Sequence, residues 1–262
     1  MAVAKKAIPL KRTKPIGGKM LEAVVSALGA DILGGRFIPG EVLPREDVLM
    51  GNLGVSRTTL REAIKVLCAK GLLETRQRIG VRVKPRHDWN LLDPAVLSWH
   101  PDISKEHDLI AGLLEVRRII EPAAAELAAQ RATAADLARI EEAFHRMETA
   151  SPNDLQAETE ADLAFHSGII AASGNVVLQR IGSTIEAALG AALLITNTVT
   201  DAPDEALAAH RHIMERIRFR DAAGARAGMH QMLDIAARDL THADDYVPKA
   251  AARTKRKPDD KR

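Results

Sequence analysis

The stretch that most constrains this chain is Pro39–Val83, PGEVLPREDVLMGNLGVSRTTLREAIKVLCAKGLLETRQRIGVRV. It reads as a helix, a tight turn, a second helix and a hairpin, the order of a winged helix-turn-helix. Gly54 falls where the first helix needs a left-handed cap, and Ser56 falls where the next needs an oxygen for its orphan N–H groups. Pro44 is expected to open the first helix, and the second places Leu60, Ala63, Ile64 and Leu67 on one face. Its other face carries Arg57, Thr58, Arg61 and Lys65, at i, i+1, i+4 and i+8. Arginines and a hydroxyl so spaced suit the reading of base edges and the gripping of phosphates in a major groove. Beyond it, Leu72–Thr75 and Val81–Val83 alternate like strands, and Arg76, Gln77, Arg78 and Gly80 form a basic tip suited to a minor groove or a phosphate.

A module of this kind takes about eighty residues, so a chain of 262 leaves room for a second core. Charge divides along the same line. Residues 1–87 hold 17 Lys/Arg against 7 Asp/Glu, residues 88–247 hold 13 against 26, and the remainder holds 7 against 2. Only the ends favour a polyanion. From Lys105 onward the pattern is amphipathic helix, rich in alanine, with breaks near Thr133, Ser151–Asn153, Gly174, Thr200–Pro203 and Asp221–Gly224. The expected architecture is mainly α: a disordered basic arm (1–14), a winged helix-turn-helix (15–84), a packed linker (85–104), an all-helical bundle of about six helices (105–246) and a disordered basic tail (247–262). The first helix should run from about Ile16 to Leu33. The single cysteine, Cys68, excludes a disulfide framework and reads as a small core residue. There is no apolar run of eighteen residues and no signal-peptide h-region, so no membrane partner and a cytoplasmic location are expected.

Chemistry in the helical half concentrates at Asp162-Leu163-Ala164-Phe165-His166. Residues i and i+4 stand one turn apart, so carboxylate and imidazole can share a metal ion, which His210 on a later helix could complete. A buried His paired with its own Asp has the same spacing. His230 would serve only if it faced inward. Arg117, four residues before Glu121, could hold a ligand carboxylate if it points inward, or form a surface ion pair with Glu121. Glu142–His145 has the Glu-x-x-His spacing of di-iron bundles without a second copy, and His107-Asp108 resembles a hydrolase dyad at a helix start. Both read better as solvated surface. A metal-dependent hydrolase fused to a DNA-binding module is the alternative from another class, and a purely architectural DNA-binding protein is a third.

Leu43-Pro44, Gly54-Val55-Ser56-Arg57-Thr58, Leu60-Arg61-Glu62-Ala63 and Gly71-Leu72 together resemble the DNA-binding domain of GntR-type bacterial transcription regulators. Glu115-Val116-Arg117 through Glu121-Pro122, Asp162–His166, Gly174-Asn175 and His210 are similar to the ligand (FCD) domain of the FadR-like branch, and Trp89–Trp99 is similar to the linker of sugar-acid (galactonate-type) repressors. The resemblance implies a homodimeric repressor, not an enzyme, released from a double-stranded operator by a small carboxylate or sugar-acid effector. It also implies a divalent metal, zinc or similar, held by Asp162, His166, His210 and a final His. That last position is Met232 here, with His230 about 200° around the helix. The site would then be a three-ligand one with extra water, or one where Asp162 and the histidines bind the organic ligand directly. Arg117 and Asn197 are the expected effector contacts. Arg45, Ser56, Arg57, Thr58, Arg61, Lys65, Arg78 and Gly80 are the expected DNA contacts, with Asp47 standing where the family has an Arg and Arg78-Ile79-Gly80 replacing its Gly-x-Gly wing.

Overall fold

The computed structural model describes residues 17–150, 154–200 and 202–243, and these form two compact units, 17–90 with 98–101 and 91–97 with 102–243. The expected basic arm and tail, the helix start at Ile16 and the break at Ser151–Asn153 lie outside the described residues.

In the first unit, α1 (Gly17–Leu33) packs on α3 (Arg57–Ala69), which follows α2 (Glu46–Leu53). The expected pattern of α3 holds: Leu60, Ala63, Ile64 and Leu67 are buried. Fully burying such a side chain is worth roughly 1.5–3 kcal/mol, so this face alone ties the helix to its unit. Gly54 ends α2 at φ 65°, and its N–H bonds the Met50 carbonyl. Gly71, at φ 82°, cannot be replaced, because a Cβ there would sit 2.3 Å from the Asp88 carbonyl oxygen. The wing is an antiparallel pair, β1 (Leu73–Arg76) and β2 (Gly80–Val83), with Arg76 opposite Gly80.

The structure departs from the sequence expectation at three places. The helix expected to open at Pro44 begins at Glu46, since Arg45 still holds an extended ψ of 151°. Arg76 belongs to β1 and Gly80 to β2, paired with each other, so neither lies in the tip. Cys68 is only half-buried, because it lies at the edge of the α3 core face.

The expected linker holds short 3-10 turns at Arg86–Asp88 and Ile103–Lys105 and a helix, α4 (Pro94–Trp99). Trp89 is buried and donates its indole N–H to the Lys84 carbonyl at 2.9 Å. Trp99 lies against Gly29 of α1, where a Cβ would come within 2.7 Å of its ring.

The second unit is a bundle of α5 (His107–Arg131), α6 (Ala134–Thr149), α7 (Leu155–Ala172), α8 (Val176–Val199), α9 (Pro203–Arg218) and α10 (Ala222–Ala243). Caps set several helix starts: Thr133 and Asp136 form a reciprocal capping box on α6, and Asn175 Oδ1 accepts from two N–H groups of α8. Small Ala124, Ala125, Ala128 and Ala129 on α5 let Phe165, Ile169, Ile213, Met229 and Leu233 close around it. The last break falls at Arg220, left-handed at φ 62°, so Gly224 is already inside α10. By length and composition α8 could cross a membrane, with mean hydropathy 1.2. Here it supplies Ile185, Ala188, Leu189 and Ala192 to the bundle core and turns Thr196 and Asn197 towards a pocket.

Candidate DNA interface and effector pocket

Ser56 caps α3, its Oγ accepting from Thr59 N–H at 3.2 Å. The helix therefore starts with Arg57, Thr58, Arg61 and Lys65 all exposed on the face opposite the core. Arg45 and Asp47 are exposed at the start of α2, Arg78 at the wing tip and Gly80 at the first position of β2. Arg78 takes φ 65°, the left-handed region in which the family's glycine would sit without steric cost. The charges on α3 are not free. Glu46 accepts from Arg61 Nε at 3.0 and 3.3 Å and lies 3.6 Å from Arg57 Nε, and Lys65 donates to Glu62 at 2.8 Å. Sequence spacing did not bring out Glu46, because its partners lie on another helix.

In the bundle, Asp162, His166 and His210 each offer a ligand atom within 4.8 Å of one another, and all three are buried. Nε2 of both histidines stands 3.2 Å from Asp162 Oδ1. Their other nitrogens are also engaged. His210 Nδ1 lies 2.7 Å from the Ala206 carbonyl, and His166 Nδ1 lies 2.8 Å from Glu121 Oε2, close enough for an ion pair though not aligned as a hydrogen bond. Asn197 Nδ2 donates to Asp162 Oδ2 at 3.2 Å.

Arg117 does point inward, so the surface ion pair is not what forms. Arg117 Nε donates to Glu121 Oε1 at 2.6 Å with both side chains no more than 3% exposed. Burial raises the Glu121 pKa, but Arg117 and His166 more than offset this and hold it at about 2. Burial likewise disfavours charge on Asp162, yet hydrogen bonds from His166 and His210 keep its pKa well below the ordinary carboxylate range. Burial lowers the His166 pKa while Glu121 and Asp162 raise it, and the net shift is upward.

Two nitrogens and one carboxylate oxygen, each backed by a second partner, fit a divalent cation of the zinc type. The cluster opens onto a cavity of about 390 Å³ that Arg117, Asn197 and Met232 also line. Met232 is buried in its wall while His230 is exposed, as the offset of two residues requires. Glu158, one turn before Asp162, lines the cavity as well, and burial together with the Asp162 charge raises its pKa. Glu142, His145, His107 and Asp108 all lie exposed.

A winged helix-turn-helix joined to a helical bundle with a ligand-sized cavity defines a transcription regulator. Residues 21–83 match the model of bacterial regulatory proteins of the gntR family, and residues 112–234 match the FCD domain. The chain is 34% identical over 221 residues to the galactonate operon transcriptional repressor of Escherichia coli (strain K12), covering 84% of this chain and 96% of that one. It is 36% identical over 178 residues to the uncharacterized HTH-type transcriptional regulator YieP of the same organism, covering 67% and 77%. The solved structure of Lar from Listeria monocytogenes shares the fold, with a TM-score of 0.61 at 22% identity over 90% of this chain and 100% of that one. The chain belongs to the GntR family, with an FCD domain in its second half. It is a DNA-binding regulator and not an enzyme.

Proposed function

We propose that this regulator represses a sugar-acid catabolic operon as a homodimer and leaves its operator when a small carboxylate binds the FCD pocket. The observation that carries the reading is the buried Asp162/His166/His210 cluster opening on a ligand-sized cavity, in a chain most of whose length aligns with a galactonate operon repressor. Asp162, His166 and His210 would hold a divalent cation, which supplies positive charge and open coordination positions for a carboxylate. That charge matters, because Arg117 is already matched by Glu121 and the remaining carboxylates near the cluster repel an anion. Arg117 and Asn197, which line the same cavity, would orient the effector.

Two protomers would set their α3 helices, through Arg57, Thr58, Arg61 and Lys65, in successive major grooves of a pseudo-palindromic operator, with Arg45 and the wing residues Arg78 and Gly80 on the backbone. Exposed Val176, Val177 and Ile181 on α8 supply apolar surface for such pairing. An effector that favours one bundle state by a few kcal/mol suffices to change half-site spacing. A protein acting on bacterial operators works in the cytoplasm.

The test is the melting temperature of the full chain with zinc and galactonate, alone and together. Occupancy at a hundred times Kd adds about 2.7 kcal/mol and raises the midpoint. Stabilisation that disappears in Asp162→Ala supports the site, whereas melting unmoved by metals and a panel of sugar acids would remove the pocket from the mechanism.

A further inference from the structure

We propose that Glu46 is a positioning residue for DNA reading, holding the Nε edge of Arg57 and Arg61 so that both guanidinium groups turn their Nη edges towards guanine. The role rests on the assignment of those two arginines to base contact. Glu46 is the first residue of α2, while Arg57 and Arg61 stand one turn apart at the start of α3, so one carboxylate reaches both. Arg61 Nε is 3.0 Å from Oε1, and Arg57 Nε is 3.6 Å from Oε2. Nε is the atom that faces Glu46 in both pairs, as a hydrogen-bond donor in Arg61 and as an ion-pair partner in Arg57. A guanidinium has five N–H donors, and with Nε turned to Glu46 the fork of Nη1 and Nη2 is left, an edge that can meet O6 and N7 of guanine together.

The same carboxylate opposes indiscriminate binding. An arginine that swings to a phosphate must abandon Glu46, which then faces the backbone as an unmatched negative charge. A guanine in register lets both arginines stay paired. Glu46 therefore favours the specific complex over the non-specific one, and it keeps the exposed arginines, 62% and 60% accessible, from sampling other rotamers. The acid also suits a helix N-terminus, but that role needs only charge and not reach.

The experiment selects duplexes from a random-sequence library with the full chain, then titrates the selected and a scrambled duplex at several salt concentrations. Glu46→Gln is expected to lower the ratio of selected to scrambled affinity about tenfold. It should also strengthen binding to the scrambled duplex and steepen its salt dependence, as two released arginines reach phosphates. Glu46→Asp keeps the charge at the helix start but not the reach, so discrimination should fall there too. An unchanged ratio in both Glu46 variants, or equal weakening on both duplexes, overturns the proposal. Arg57→Ala and Arg61→Ala separate the two levels. If they erase the selected sequence while Glu46→Gln preserves it, positioning alone fails; if neither alters it, the base-reading assignment fails as well.

Discussion

Arg117 Nη2 lies 3.2 Å from His166 Nε2, and Glu121 grips both residues from the other side. One buried carboxylate thus holds two groups that carry or accept positive charge, on a helix whose other buried residues are alanine, proline and aliphatic. Removing it leaves Arg117 in the core without a counter-ion. Glu121→Ala is expected to cost about 3–5 kcal/mol in urea unfolding. A double change, Arg117→Met with Glu121→Leu, should recover most of that loss. A single variant as stable as the original chain would show that the pair contributes little.

Met232 is buried in the cavity wall, at the position where the sequence resemblance leads one to expect a final histidine. Met232→His adds an imidazole to a site of two nitrogens and one oxygen, and zinc affinity measured by chelator competition should rise at least tenfold. His230→Ala, on the exposed side of α10, should leave it unchanged. Equal zinc affinity in Met232→His and the original chain would show that α10 does not approach the bound ion.

Arg78 holds a left-handed conformation at the wing tip. Arg78→Gly relieves roughly 1–2 kcal/mol of backbone strain while the more flexible unfolded chain takes back about half of it. The first unit should melt no lower than before. DNA affinity should nevertheless fall and its salt slope shrink by about two, the mark of one lost phosphate contact in each protomer of the proposed dimer. An unaltered slope would place Arg78 off the DNA.

The Thr133–Asp136 capping box gives a pH-dependent effect. Thr133→Ala should cost about 1 kcal/mol at neutral pH. Hydrogen bonds from the Thr133 side chain and backbone hold the folded Asp136 pKa below its ordinary value. A carboxylate depressed on folding stabilises above its unfolded pKa of about 3.9 and loses that contribution as pH falls through the lower folded value. The gap between the two proteins should therefore be full at pH 7 and narrow below pH 4. A constant gap would mean that the box acts through Thr133 alone.

Legibility followed the range of the interaction. The buried face of α3, the cap at Ser56, the helix breaks near Thr133 and Gly174, and the Asp162/His166 pair depend on residues close along the chain, and local pattern exposes them. The placement of Met232 and His230 follows from the same helical angle. Arg117 and Glu121 show the limit, since i, i+4 spacing is identical on a surface and in a core; only the packing of α7 and α10 against α5 decides. Glu46 and Arg61 lie fifteen residues apart on different helices, so no pattern along the chain connects them. The cavity likewise has no linear signature, because several helices contribute its walls.

If occupancy of the FCD pocket controls DNA binding, fluorescence anisotropy shows it most directly. Labelled duplex from the region upstream of the protein's own coding sequence is titrated at one fixed salt concentration, with zinc and each of a panel of sugar acids. The expected result is tight binding that one sugar acid releases in the original chain and fails to release in Asp162→Ala. Tight binding indifferent to every acid, or release that survives loss of Asp162, would contradict it.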